Sequence, residues 1–244
     1  MSYLILVRHG QSLWNLANKF TGWVDVPLSE RGIFEAMQAA KDLQSLKVDI
    51  AFTSELIRAH QTLFMIMASQ KRISMVMHED DKEHRKFYLH PKMIEKDEVP
   101  VYRYKDLNER FYGGLQGMDK DQARRKFGKE QVFKWRRSFD KRPPKGECLK
   151  DVCERAIPCF EKKVMPSVKQ KKNVLLAAHG NSLRGIIKHI DGISDEDIPN
   201  LELPTGKPIV YRYSRGKLVK DNHQHNFDRP LFWKESKSHK LKNG

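Results

Sequence analysis

No apolar run in the chain approaches the ~20 residues that a membrane-spanning helix requires, so a transmembrane role is not expected. Cysteine is scarce: Cys148, Cys153 and Cys159 are the only three. An odd, clustered set without ligand-type spacing argues against a disulfide framework or a zinc site and for reduced thiols in a cytoplasmic protein. No Gly-, Pro- or Ser-rich stretch marks a linker. The start, MSYLILVRHG, has no basic region ahead of its short apolar run, so it reads as a buried strand and not as a signal peptide. Acidic residues are outnumbered, with 31 Asp and Glu against 46 Lys and Arg and a net charge of +15. That balance is compatible with nucleic acid, an anionic membrane surface or small anionic substrates. The basic runs, Lys169 to Lys172 and the tail KESKSHKLKNG, lack the interleaved aromatics of a strand-binding groove. Charge alone therefore selects no partner.

What the 244 residues do contain is an alternation of strand and helix patterns. Tyr3 to Val7 is continuously apolar, as in a strand buried on both faces. Ser29 is placed to cap a helix with an apolar stripe at Ile33, Ala36, Met37, Ala40 and Leu43. Ile50 to Thr53 reads as a second strand, and Ser54 as a cap for a helix carrying Leu56, Leu63 and Met67. From about His78 to Pro100 the pattern fades into charged, Pro-containing sequence, which reads as an excursion or lid. Asp119 to Phe127 reads as a helix stopped at Gly128. Val152 to Val168 reads as a helix kinked or shortened by Pro158 and Pro166. Asn173 to Ala178 is a further apolar strand, followed by a helix from about Ser182 to Ile190 closed by Gly192. Strands alternating with helices predict an α/β fold with a mostly parallel central sheet and helices on both faces. With no composition break along the chain, one domain is expected.

Two segments repeat one device. LILVRHGQSL and VLLAAHGNSL each run from a buried strand into His-Gly, a polar residue and Ser-Leu. Ligands of open α/β sheets bind beyond the carboxyl ends of strands, so neighbouring strands would set His9 opposite His179 across one crevice. A lone histidine after a strand is more often structural; a matched pair points to function. The residues near them are Arg8, Arg58 and Arg184 instead of further metal ligands, and guanidiniums repel a divalent cation while gripping phosphate. Gly10 and Gly180 allow backbone N–H groups to approach an anion. Histidine can attack phosphorus as a neutral imidazole. A carboxylate near the crevice must then protonate the leaving alkoxide; Glu109 is one candidate among several.

Val7-Arg8-His9-Gly10 with Ser12 and Asn15 resembles the signature of the histidine phosphatase superfamily, most closely its cofactor-dependent phosphoglycerate mutase branch. The same branch is matched by Phe20-Thr21-Gly22-Trp23, Asp25, Leu28-Ser29-Glu30, Thr53-Ser54 with Arg58, and Leu107-Asn108-Glu109-Arg110 with Tyr112-Gly113. Leu115-Gln116-Gly117, Trp135-Arg136-Arg137, Ala178 to Arg184 and Leu203-Pro204-Thr205-Gly206 complete the ordered series. The resemblance implies that His9 is the phosphorylated nucleophile and Glu109 the proton donor and acceptor. It implies that Arg8, Arg58 and His179 bind the transferring phosphoryl group with support from Asn15. Thr21, Gly22, Tyr112, Lys120, Arg136, Arg137, Gly180 and Asn181 would hold the rest of the substrate.

The implied reaction interconverts 3-phosphoglycerate and 2-phosphoglycerate, primed by 2,3-bisphosphoglycerate and without a metal. In the implied sequence phosphohistidine donates to a hydroxyl of the bound monophosphate, and the bisphosphate then reorients and returns its other phosphate to His9. Read alone, Arg136-Arg137 and Lys120 would be surface charge, and Glu109-Arg110 a surface ion pair. The expected partner is a small phosphorylated substrate; neither membrane nor nucleic acid is expected, and a homodimer or a homotetramer is compatible with the chain. The resemblance implies a catalytic domain over residues 1–213 followed by a basic C-terminal tail, 214–244, that can fold over the site as a lid. Gln11 departs from the branch's usual Glu, the 78–105 stretch is longer than usual, and the tail from Ser214 is unmatched. Two other readings remain: a phosphatase of the same fold, and a basic nucleic-acid-binding protein on an inactive scaffold. Ser12 with Thr21-Gly22, and the Arg136-Arg137 pair, favour the mutase.

Overall fold

Apolar side chains on both faces of one extended segment can be buried only if each face of the strand is covered. In β1 (Ser2–Arg8), Leu4 and Leu6 enter one core cluster while Ile5 and Val7 enter another, following the two-residue alternation of strands. The computed structural model describes residues 1–70, 72–77 and 98–221. The other strands are β2 (Ile50–Thr53), β3 (Ile73–Met77), β4 (Glu98–Arg103), β5 (Val174–Ala178), β6 (Pro208–Ser214) and β7 (Lys217–Lys220). They form one seven-stranded sheet in the order β3-β4-β2-β5-β1-β6-β7. β3, β4, β2, β5 and β1 run parallel; β6 and β7 are antiparallel additions at the other edge. The mostly parallel α/β sheet is therefore as the alternating pattern predicts.

The helices are α1 (Leu13–Leu16), α2 (Glu30–Asp42), α3 (Ile57–Ala68), α4 (Lys120–Phe127), α5 (Lys129–Arg137), α6 (Leu149–Cys159), α7 (Met165–Lys169) and α8 (Gly180–Asp191). α2 and α3 cover one face with Ala39, Leu43, Leu63 and Ile66. α7, α8 and the wide turn at Phe160–Val164 cover the other with Val168, Leu183, Ile186 and Phe160. The connections leaving β1 and β5 thus pass to opposite faces, which opens a crevice at the carboxyl ends of these two neighbours.

Several expectations need correction. Ile33 lies outside the buried stripe of α2 and is 39% exposed; Gly32, Ala36, Ala39 and Ala40 form the buried face. Ser54 does not cap α3, whose cap position is Leu56 and lacks a side-chain bond. Asp25 Oδ1 accepts from Ile57 N instead. The excursion expected to reach about Pro100 ends earlier, because Glu98–Arg103 is β4, with Val99 and Val101 buried, and Lys105–Leu107 is a 3₁₀ turn. Residues 78–97 of that excursion lie outside the described residues, as does the tail from 222; residues 214–220 extend the β6–β7 hairpin. α6 runs through Pro158, and the chain widens into the turn at Phe160 immediately afterwards. A missing proline N–H breaks the helical ladder in this way. The three cysteines are buried and unbridged. No helix among the described residues is long and apolar enough to cross a membrane.

Candidate active site

The register of β1 and β5 pairs Arg8 with Ala178. The two strands therefore end level, and His9 N donates to Ala178 O at 3.0 Å. Their next residues, His9 and His179, stand side by side with ring centroids 5.0 Å apart. Both are buried, at 3% and 0% exposure. β2 lies on the far side of β5, so Ser54, which follows it, meets His179: Ser54 Oγ is 2.7 Å from His179 Nε2.

His9 Nδ1 lies 2.7 Å from the Gly10 carbonyl. A carbonyl only accepts, so Nδ1 carries the proton and Nε2 presents its lone pair. Burial, then the charges of Arg58 and Arg8, hold this imidazole well below its ordinary pKa of 6.5. His179 is shifted the same way by burial, Arg58 and His9. The pair is neutral at physiological pH, as an attacking imidazole must be. Gly10 is required here by close approach: a Cβ would sit 2.2 Å from Gly32 O in the first turn of α2.

The arginines share one arrangement. Arg58 Nη1 and Nη2 donate to Val24 O and Gly22 O, at 3.0 and 2.7 Å. Arg8 Nη1 donates to Leu203 O at 2.7 Å. In both the buried Nε–H has no partner, as is true of Arg184 Nε and Thr21 Oγ1 in the same cleft and of His179 Nδ1 beside His9. Buried donors without acceptors are costly. Their concentration around one cleft fits an anion with several oxygens. Burial brings Arg58 to about 10, still protonated at neutral pH.

Glu109 reaches the same place from the irregular segment after β4. Its Oε1 accepts from Arg110 N, Asn181 N and Asn181 Nδ2 at 2.7, 3.2 and 2.8 Å. Arg110 N and the two Asn181 donors at the N-terminus of α8 fix the carboxylate through Oε1 and leave Oε2 without a hydrogen bond among the described residues. One donor atom each from His9, Glu109 and His179 lies within 4.8 Å of the others, a spacing that a metal ion could use. The Arg8 and Arg58 charges that depress both imidazoles also oppose a dication there.

The cleft, open to solvent, is lined by every expected site residue except His179, which lies fully buried beside His9. Asn15 uses Oδ1 on Ser12 N, which leaves its amide N–H groups for the cleft. Gly22 has φ +55, and a Cβ there would strike Gln116 Oε1. Tyr112 OH accepts from Arg110 Nη2 at 3.2 Å. Lys120 and Arg136 line the cleft together; burial, then Arg136 and Arg8, bring Lys120 down to about 8. Arg137 is engaged by Glu202 at the rim. Sequence reasoning assigned no role to Lys19, Leu201, Glu202 or Leu203, although all line the cleft, and Arg184 was noted only as a nearby cation. Leu203 acts through its carbonyl and carries no side-chain signal; the Leu203–Gly206 motif was the one pointer. Gln11 turns away from His9: its Oε1 accepts from Ser29 Oγ at 3.0 Å.

Residues 4–85 and 92–225 match the family model of the histidine phosphatase superfamily (branch 1). A 2,3-bisphosphoglycerate-dependent phosphoglycerate mutase of Methanosarcina acetivorans is 47% identical over 237 residues, covering 91% of this chain and 96% of the relative. The enzyme of that name from Chlamydia pneumoniae is 45% identical over 222 residues, covering 90% and 97%. Among solved structures, a mycobacterial glucosyl-3-phosphoglycerate phosphatase complexed with VO3 superposes with a TM-score of 0.68 at 22% identity, covering 91% and 98%. A Bacillus stearothermophilus protein, YhfR, gives 0.69 at 20%, covering 93% and 100%. At these identities the two structures share the fold, and the fold alone. With the sheet, the paired histidines and the family match in agreement, this chain belongs to branch 1 of the histidine phosphatase superfamily.

Proposed function

We propose that the chain interconverts 3-phosphoglycerate and 2-phosphoglycerate through a phosphohistidine at His9, with 2,3-bisphosphoglycerate as primer. The observation that carries this is a neutral, tautomerically fixed imidazole ringed by buried N–H groups without partners. When bound, the bisphosphate supplies the phosphoryl group that charges His9, and Arg8, Arg58, His179 and Asn15 would hold that group.

His9 Nε2 attacks phosphorus with its lone pair while Nδ1–H stays on the Gly10 carbonyl. The N–P bond forms as the P–O bond breaks, and its electron pair leaves on the alkoxide oxygen. Glu109 as the acid gives that oxygen its proton and becomes carboxylate; in the reverse step Glu109 takes the proton of the attacking hydroxyl. Arg8 and Arg58 hold charge on the equatorial oxygens, where positioned cations contribute most. Thr21, Gly22, Tyr112, Lys120, Arg136, Arg137, Gly180 and Asn181 hold the far end of the substrate. No step passes through a metal in this reading. The catalytic body runs through residues 1–213, and the enzyme works in the cytoplasm.

A phosphatase of the same fold needs the phosphoryl end of the cleft only. Cations in the cleft beyond Arg8 and Arg58, at Lys120, Arg136 and Arg137, together with the mutase relatives at 45–47% identity, favour a substrate retained by a further anionic group. The test is interconversion measured in a chelator, with and without trace bisphosphate, for wild type and His9→Ala. Chelator-resistant activity, stimulated by bisphosphate and absent in His9→Ala, is expected. Phosphate release without interconversion would move the chain to the phosphatases.

A further inference from the structure

The proton-transfer carboxylate sits on a segment with no regular structure of its own between the 3₁₀ turn at Lys105–Leu107 and the one at Gly113–Leu115. Such a segment holds a side chain in place only if something outside it does the holding. That part falls to Arg155, in the middle of α6, 46 residues away. Its Nη1 donates to Asp106 O and Asn108 O at 2.8 and 3.0 Å, and its Nη2 to Glu109 O at 3.0 Å. Its Nε and Nη2 grip both oxygens of Glu147 at 2.9 and 2.8 Å. A guanidinium has five N–H donors in one plane, and all five are used. Glu147 closes the clamp from the other side: its Oε2 accepts from Phe111 N, and its own N donates to Phe111 O, both at 2.8 Å. Trp23 packs 5.7 Å from the guanidinium and donates its indole Nε1–H to the same Glu109 carbonyl.

We infer that Arg155, oriented by Glu147, is a positioning residue for proton transfer: it fixes the backbone of residues 106–109 so that Glu109 Oε2 meets the oxygen leaving or attacking phosphorus. It touches no substrate. This rests on the role proposed for Glu109. Lysine cannot replace it, because three donors on one nitrogen cannot span three carbonyls and a carboxylate held in a planar fork.

Leaving-group dependence distinguishes positioning from general support. An alkoxide leaving from 2,3-bisphosphoglycerate needs the Glu109 proton, whereas the nitrophenolate of p-nitrophenyl phosphate leaves without one. The measurement is single-turnover phosphorylation of His9 by each donor in wild type, Arg155→Lys, Glu147→Gln and Glu109→Gln, with melting temperature as the folding control. Misplacing a catalytic group by about 1 Å costs on the order of a hundredfold. Arg155→Lys should therefore lose about that much with the bisphosphate and little with the aryl phosphate, with kcat lowered more than KM is raised. Glu147→Gln should show the same selectivity more weakly. The Trp23 indole N–H resonance should shift in Arg155→Lys, since its acceptor moves. Equal losses with both donors in Arg155→Lys, alongside a selective loss in Glu109→Gln, would overturn the inference and leave Arg155 as structural support. Equal losses in Glu109→Gln itself would overturn the role of Glu109 and, with it, the basis for this inference.

Discussion

At the scale of single residues the site works by withholding charge from some groups and leaving others unsatisfied. Lys120 is pushed down to about 8, first by burial and then by Arg136 and Arg8. It therefore loses its charge as pH rises through that value, and an anionic substrate loses one attraction. KM for 3-phosphoglycerate should climb above about pH 8 in wild type and climb less in Lys120→Arg, whose guanidinium stays charged. A pH–KM profile unchanged by the substitution would remove Lys120 from the binding set. The histidines give a second test with the opposite experimental handle. Both are held neutral in the fold, well below 6.5, by burial and neighbouring cations. The unfolded chain takes up protons there, so below 6.5 it binds more protons than the native state, and stability falls as pH falls toward the depressed folded value. Melting temperature should decline between about pH 7 and pH 5 more steeply in wild type than in His9→Asn, which lacks one such group. Parallel declines would mean that His9 is not held neutral. None of these shifts could be read from sequence, because each depends on which charges the fold packs around a buried side chain.

At the scale of elements the chemistry rests on how closely β1 and α2 approach. A Cβ on Gly32 would meet Gln11 O at 2.0 Å, and one on Gly10 would meet Gly32 O at 2.2 Å. Gly-to-Ala inside a helix ordinarily stabilises by up to about 1 kcal/mol, whereas overfilling a close-packed contact costs about 1–3 kcal/mol. The obstructing atoms are backbone and cannot swing aside, so the second effect wins. Gly32→Ala should unfold about 1–2 kcal/mol more easily in urea and should phosphorylate His9 more slowly, because the displaced segment is residues 10 and 11. A variant more stable than wild type would contradict the close approach. The elements that carry this contact were legible: β1, β2 and β5 are continuous apolar runs, and α2 and α8 have their cap or closing residues in place. β3, β4, β6 and β7 were not: the edge strands β3 and β7 are only partly buried, β4, β6 and β7 carry charged residues, and Pro100 argues against a strand in isolation. The site divides along the same line. The repeated strand-His-Gly device announced His9 and His179, and the family motifs announced Glu109, Lys120, Arg136 and Arg137. Arg155, Glu202 and Lys19 gave no signal, since each becomes part of the site only when segments distant in sequence pack together.

At the scale of the whole molecule the excess positive charge needs a destination, and the tail does not supply it. Residues 222–244 hold five of the 46 Lys and Arg, so the described body carries most of the charge. The cleft concentrates it, with Arg8, Lys19, Arg58, Lys120, Arg136, Arg137 and Arg184 set against Glu109 and Glu202. A low-dielectric recess lined by one sign focuses its field outward and raises the encounter rate with ligands of the other sign. Screening shortens that reach to about 10 Å at 0.1 M salt, while contacts already made inside the cleft are screened much less. The two kinetic constants should therefore separate. kcat/KM should fall as salt rises from about 10 mM to about 0.3 M, on the order of tenfold for a polyanionic substrate, while kcat changes little. A random oligonucleotide draws on the same surface charge, but its release of counterions gives a far steeper dependence on salt. If kcat/KM were flat with salt while oligonucleotide binding was tight and steep, the charge would serve a nucleic-acid partner on the outer surface. If kcat/KM falls and the oligonucleotide neither binds at 0.15 M salt nor competes with substrate, the charge is an antenna for the cleft. The gathering of those seven cations around one cleft makes the second outcome the expected one.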